Sequence, residues 1–128
     1  MARILVVDDH AAIRAFLRDA LTAAGHDVFV ADDGRAAVSL YRELQPDIVI
    51  TDIFMPEQDG LGVILALVSD DVKIVAMSGG GDVWDQCHLK DAVAFGAQAM
   101  LRKPFTASTL CNTVNDLLVA RSQAIPRP

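Results

Sequence analysis

The run ILVVDD, Ile4 to Asp9, places four apolar residues in a row and stops on two carboxylates. So short and continuous an apolar stretch, rich in β-branched side chains, reads as a strand covered on both faces. A different period follows it. Ile13, Phe16, Leu17, Ala20, Leu21 and Ala24 recur at helical spacing, Arg14, Arg18 and Asp19 fall on the water side, and Gly25 stands where a helix would end. The alternation then repeats down the chain. Further strands are expected at Val28 to Ala31, Ile48 to Thr51, Lys73 to Met77 and Ala99 to Leu101. Between and after them, helical stripes are formed by Ala37, Leu40, Tyr41 and Leu44, which stop before Pro46, and by Leu110, Val114, Leu117 and Leu118, with Thr106 as N-cap. Leu61 to Val68 and the segment around Leu89, Ala92 and Val93 supply two more helices. Apolar strands separated by helices predict an α/β fold, a doubly wound five-stranded parallel sheet with five helices.

Composition narrows the function classes. With 128 residues, 52% hydrophobic and 22% charged, the chain has room for one domain with a core that needs no disulfide or structural metal. Eleven Lys and Arg against 17 Asp and Glu leave a formal charge of -6, the wrong sign for neutralising phosphates along a duplex, so no direct nucleic-acid binding is expected. Cys87 and Cys111 lack metal-ligand or redox-motif spacing, which suits a reducing, cytoplasmic setting. The first apolar run is too brief for a signal sequence or a membrane span, so no membrane insertion is expected. Residues 122–128, with Pro126 and Pro128 and little apolar content, read as a flexible C-terminal tail.

In an open parallel sheet, ligands bind beyond the carboxyl ends of the strands. Here those ends are polar: Asp8 and Asp9 after the first strand, Asp52 after the third, Ser78 after the fourth, and Lys103-Pro104 after the fifth. Carboxylates gathered at one edge repel one another unless a cation joins them, and an all-oxygen donor set selects a hard ion such as Mg²⁺. Lys103 offers an ammonium and Ser78 a hydroxyl for phosphoryl oxygens, and Gly79, Gly80 and Gly81 let backbone amides approach closely. The set suits phosphoryl transfer with Asp52 as nucleophile and Asp8 and Asp9 as a metal-holding pair. Each residue also has a plainer reading. Asp8 or Asp9 could N-cap the helix near Ala11, Ser78 could belong to an ordinary loop, and Lys103 could be a solvated lysine. Trp84 either lids the core or lies near the pocket. Of His10, His26 and His88, only His10 borders the acidic pair, and none is assigned a catalytic role.

The set ILVVDD at Ile4 to Asp9, TDIFMPEQDG at Thr51 to Gly60, MSGGG at Met77 to Gly81 and LRKPF at Leu101 to Phe105 resembles the receiver domain of two-component response regulators, over about residues 3–120. The resemblance implies a receiver domain spanning residues 1–121 with the flavodoxin-like strand order 2-1-3-4-5. It implies Asp52 as phosphoacceptor, a metal site of Asp8, Asp9, Asp52 and the carbonyl of Phe54, and phosphate contacts from Ser78, Gly79 and Lys103. It also makes Lys103-Pro104 a candidate cis peptide. The family's switch couples the hydroxyl residue, Ser78, to an aromatic residue three positions before the lysine. Met100 stands there instead, and its unbranched thioether could adapt to the same space without acting as a ring.

The expected function is that of a stand-alone receiver that takes a phosphoryl group from a phosphohistidine donor, either a sensor histidine kinase or a histidine phosphotransfer protein. It would pass the signal to a downstream protein by contact, with homodimerisation on phosphorylation left open. Phosphorylation and dephosphorylation are self-catalysed in this reading, and the chain is not an enzyme acting on a separate substrate. Two competing readings share part of this chemistry. A haloacid-dehalogenase-like phosphatase also forms an aspartyl phosphate, but it requires D-x-D where Phe54 follows Asp52 by two positions. A degenerate receiver acting only as a binding module would have lost an acidic residue or the lysine.

Overall fold

The structure is a computed structural model that describes residues 2–52, 73–78, 99–102 and 105–123. In chain order it contains β1 (Arg3–Val7), α1 (Ala11–Ala23), β2 (Asp27–Ala31), α2 (Gly34–Leu44), β3 (Ile48–Asp52), β4 (Lys73–Ser78), β5 (Ala99–Arg102) and α3 (Ala107–Gln123). All five strands expected from the apolar runs are present, each extended by one residue at one end. They form one parallel sheet in the order β2-β1-β3-β4-β5, the flavodoxin-like order. Three helices fall among the described residues. The two expected around Leu61 to Val68 and Leu89 to Val93 lie outside them, as do Trp84, Cys87, His88 and residues 124–128. Because α3 runs to Gln123, Ser122 and Gln123 continue the helix where the sequence suggested a tail.

The strands are apolar throughout because each face of the sheet has its own core. Leu5, Val7, Val49, Ile74 and Ala76 point to one side, where Ala37, Leu40 and Tyr41 of α2 pack. Ile4, Val6, Ile48, Ile50, Val75, Met77 and Leu101 point to the other, against Leu17 and Leu21 of α1 and Leu110 and Val114 of α3. Adjacent residues of β1 thus serve opposite cores, as the two-residue period of a strand requires. Each fully buried Leu or Ile contributes roughly 1.5–3 kcal/mol, so the central strands are firmly held.

The turns that align these layers have local causes. Gly25 has φ +96, and its amide bonds Thr22 O at 3.0 Å while the His26 amide bonds Leu21 O at 3.1 Å. This Schellman closure ends α1 and returns the chain into β2. Asp33 caps α2, its Oδ1 accepting from the Ala36 amide at 2.8 Å, and Thr106 Oγ1 caps α3 by accepting from the Thr109 amide at 3.1 Å.

His26, only 9% exposed, fastens the amino end of β1: its Nδ1 accepts the Ala2 amide at 3.1 Å. Burial, first among the causes, lowers its pKa from the usual 6.5 because the charged form is disfavoured there. The unfolded chain therefore protonates first on acidification. The stability this residue contributes is complete above the unfolded value and is lost as pH falls through the lower, folded one. Between about pH 7.5 and about pH 5.5 the melting temperature of the wild type should drop further than that of His26→Gln, as followed by circular dichroism. Parallel drops in the two proteins would remove His26 as the cause.

Candidate functional site

The chain reverses direction across the sheet between β1 and β3. β1 is followed by β2 on one side, and the path then crosses to β3 on the other. A crevice opens at such a reversal beyond the strand ends, and the residues leaving β1 and β3 line it. Val7 pairs with Thr51, so Asp8 and Asp52, one residue further along each strand, emerge side by side. Both are buried, at 0% and 4% exposure. Asp8 is further tied by its amide to Ala31 O at 3.2 Å and by its carbonyl, which accepts Arg14 Nη1 at 2.8 Å. Arg14 is half-buried and folds back over the start of its helix. The helical stripe had assigned it to water, but side chains in a helix lean toward its N-terminus and can reach the preceding loop.

The acidic pair does not cap α1. His10 occupies the N-cap position with extended backbone and no side-chain capping bond. Asp8 Oδ1 instead accepts the His10 amide at 2.8 Å, which closes a tight turn and aims the carboxylate across the crevice. Asp9, 27% exposed at its side chain, turns its Oδ1 inward, where that atom is buried and has no hydrogen-bond partner. The His10 ring arrives between the two acids, with Nδ1 3.1 Å from Asp8 Oδ1 and 3.0 Å from Asp9 Oδ1.

Asp8, Asp9, His10 and Asp52 each bring one ligand atom into a group whose members all lie within 4.8 Å of one another. Unit charges at that spacing repel by roughly 3–4 kcal/mol at an effective dielectric near 20. The orphaned Asp9 oxygen adds the cost of a desolvated acceptor. Three carboxylates with an unsatisfied inward oxygen fit a hard divalent cation, which would remove both penalties together. His10 is the member of this cluster that the residue pattern did not select. Its position beside Asp8 and Asp9 was the available signal.

The other expected site residues divide by position. Ser78 ends β4, beside Arg102 of β5 and one step beyond the Asp52–Met77 pair. Its backbone thus reaches the same edge of the sheet. Met100 lies within β5 and is 47% exposed. Phe54, Gly79 to Gly81, Lys103 and the Lys103-Pro104 bond lie outside the described residues.

A family model for the response regulator receiver domain matches residues 4–115. The chain belongs to the response regulator receiver family. This receiver is 40% identical over 116 residues to the chemotaxis protein CheY of Thermotoga maritima, a match that covers 88% of this chain and 94% of that protein. It is 38% identical over 109 residues to a probable transcriptional regulator, ycf27, of Guillardia theta, covering 84% of this chain and 42% of that longer protein. In three dimensions it is similar to the chemotaxis response regulator CheY4 of Vibrio cholerae, with TM-score 0.82, 29% identity, and coverage of 91% of this chain and 98% of that one. Receiver domains are phosphoacceptors that work with histidine kinases and downstream effectors and bind Mg²⁺ in an acidic pocket; the pocket at Asp8, Asp9 and Asp52 has the composition for both roles. The receiver has no helix among its described residues that is long and apolar enough to cross a membrane.

Proposed function

We propose that this receiver takes a phosphoryl group on Asp52 from a phosphohistidine of a sensor histidine kinase or histidine phosphotransfer protein in the cytoplasm, and signals to a downstream protein by contact. The convergence of the Asp8, Asp9 and Asp52 oxygens at the β1–β3 crevice carries this reading. Asp8, Asp9, Asp52 and the carbonyl of Phe54 would hold Mg²⁺. When bound, the ion supplies positive charge to the phosphoryl oxygens and to the carboxylate that attacks.

The rest is done by the chain. Asp52, fixed at the end of a fully buried strand, presents one carboxylate oxygen in line with the phosphorus. The new O–P bond forms as the donor's P–N bond breaks, and the departing imidazole takes up a proton. The Lys103 ammonium, the Ser78 hydroxyl and the Gly79 amide bind the phosphoryl oxygens. Water later attacks the acyl phosphate and returns the carboxylate, so labelling and loss both take place on the receiver itself. Recruitment of Ser78 to the phosphoryl group initiates the switch, and Met100 transmits it by repositioning a surface side chain instead of burying a ring.

The test is covalent: acetyl phosphate with Mg²⁺ should add a single acid-labile phosphoryl group, read as intact mass. A phosphatase of the haloacid-dehalogenase type is not favoured, since the position two residues after Asp52 is Phe54.

A further inference from the structure

His10 closes the turn after β1 through its amide, and its ring also enters the pocket. It stands at the N-cap of α1 without a capping bond, and its side chain is 67% exposed, yet Nδ1 points back to within 3.1 Å of Asp8 Oδ1 and 3.0 Å of Asp9 Oδ1. Donors about 2.1 Å from one octahedral cation stand about 3.0 Å apart at adjacent vertices. Nδ1 and the two carboxylate oxygens therefore already have the spacing of neighbouring ligands. Nδ1 is within hydrogen-bond distance of Asp8 Oδ1, and the Asp9 oxygen that also faces it is the buried atom without a hydrogen-bond partner.

We propose that His10 Nδ1 is a fourth side-chain ligand, with Asp8, Asp9 and Asp52, and that it makes the pocket prefer a divalent transition cation over Mg²⁺. The proposal rests on the reading of this pocket as a cation site. An imidazole nitrogen adds much to the binding of Ni²⁺, Co²⁺ or Zn²⁺, which follow the Irving–Williams order, and little to Mg²⁺, which favours oxygen and keeps its waters. Ligation at Nδ1 leaves the imidazole proton on Nε2 and needs no change of fold. His10 would give a cation so held one more protein ligand than the three carboxylates supply.

Calorimetric titration of the full chain with Ni²⁺ and, separately, with Mg²⁺ tests this on wild type, His10→Gln and Asp9→Ala. The wild type should bind Ni²⁺ at least roughly tenfold more tightly than Mg²⁺; His10→Gln should lose roughly tenfold for Ni²⁺ while its Mg²⁺ affinity stays within about twofold. Asp9→Ala should weaken both, which places the Ni²⁺ in this pocket and not on another histidine. Unchanged Ni²⁺ affinity in His10→Gln with normal Mg²⁺ binding overturns the role of His10 alone. Equal losses for both ions in His10→Gln also overturn it, since they mark a general charge effect. Absence of Mg²⁺ and Ni²⁺ binding in the wild type removes the cation site as well. His10→Gln alters an exposed side chain, and an unchanged melting temperature without metal confirms that it folds.

Discussion

Treated with acetyl phosphate and Mg²⁺, the wild-type chain gains one phosphoryl group and Asp52→Asn gains none. The loss is complete because the amide has no anionic oxygen to attack phosphorus, while its size and shape are nearly those of the carboxylate. Asp52 ends a strand buried along its whole length, and its register against Met77 and beside Asp8 is set by backbone pairing that the substitution leaves intact. Removing one of three clustered charges should also leave the variant at least as stable as the wild type without Mg²⁺, so unfolding cannot account for the missing label. The adduct should be released by hydroxylamine, the behaviour of an acyl phosphate and not of a phosphoserine. Unchanged labelling of Asp52→Asn by intact mass would refute the nucleophile assignment and move it to Asp8 or Asp9.

Mg²⁺ should raise the melting temperature of the wild type by about 10 °C at roughly a hundredfold excess over its dissociation constant. Ligation to the native state alone contributes about 2.7 kcal/mol at that excess. For a chain of this size each kcal/mol shifts the midpoint by roughly 3–5 °C. Asp9→Ala should lose most of this shift and be more stable than the wild type without the ion, since it deletes both a repelling charge and the buried oxygen that has no hydrogen-bond partner. Sodium chloride at matched ionic strength controls for screening. An equal Mg²⁺ shift in Asp9→Ala counts against the metal site.

Much of the fold was legible because strand, helix and turn signals agree. The apolar runs of β1, β3 and β4 fit only strands buried on both faces, Gly25 marks the end of α1, and Thr106 caps α3 as its sequence suggests. Asp8, Asp9 and Asp52 were legible as site candidates because an ionisable residue at the end of a buried strand has few structural uses. Two side-chain environments are set by tertiary contacts. Arg14 sits on the polar side of its helix, but that pattern carries no information on the Asp8 carbonyl within its reach. Met100 matches a switch position, yet its exposure depends on what packs around an edge strand.

Local order along the chain thus specified the elements and the residues at their ends, since periodicity and capping act over a few neighbours. Side-by-side placement of Asp8 and Asp52, the inward turn of Asp9 Oδ1 and the approach of His10 Nδ1 to both acids came only with assembly of the sheet. Those distances depend on the parallel register of β1 with β3 and on the turn into α1, which residues remote in sequence set together through hydrogen bonds and packing.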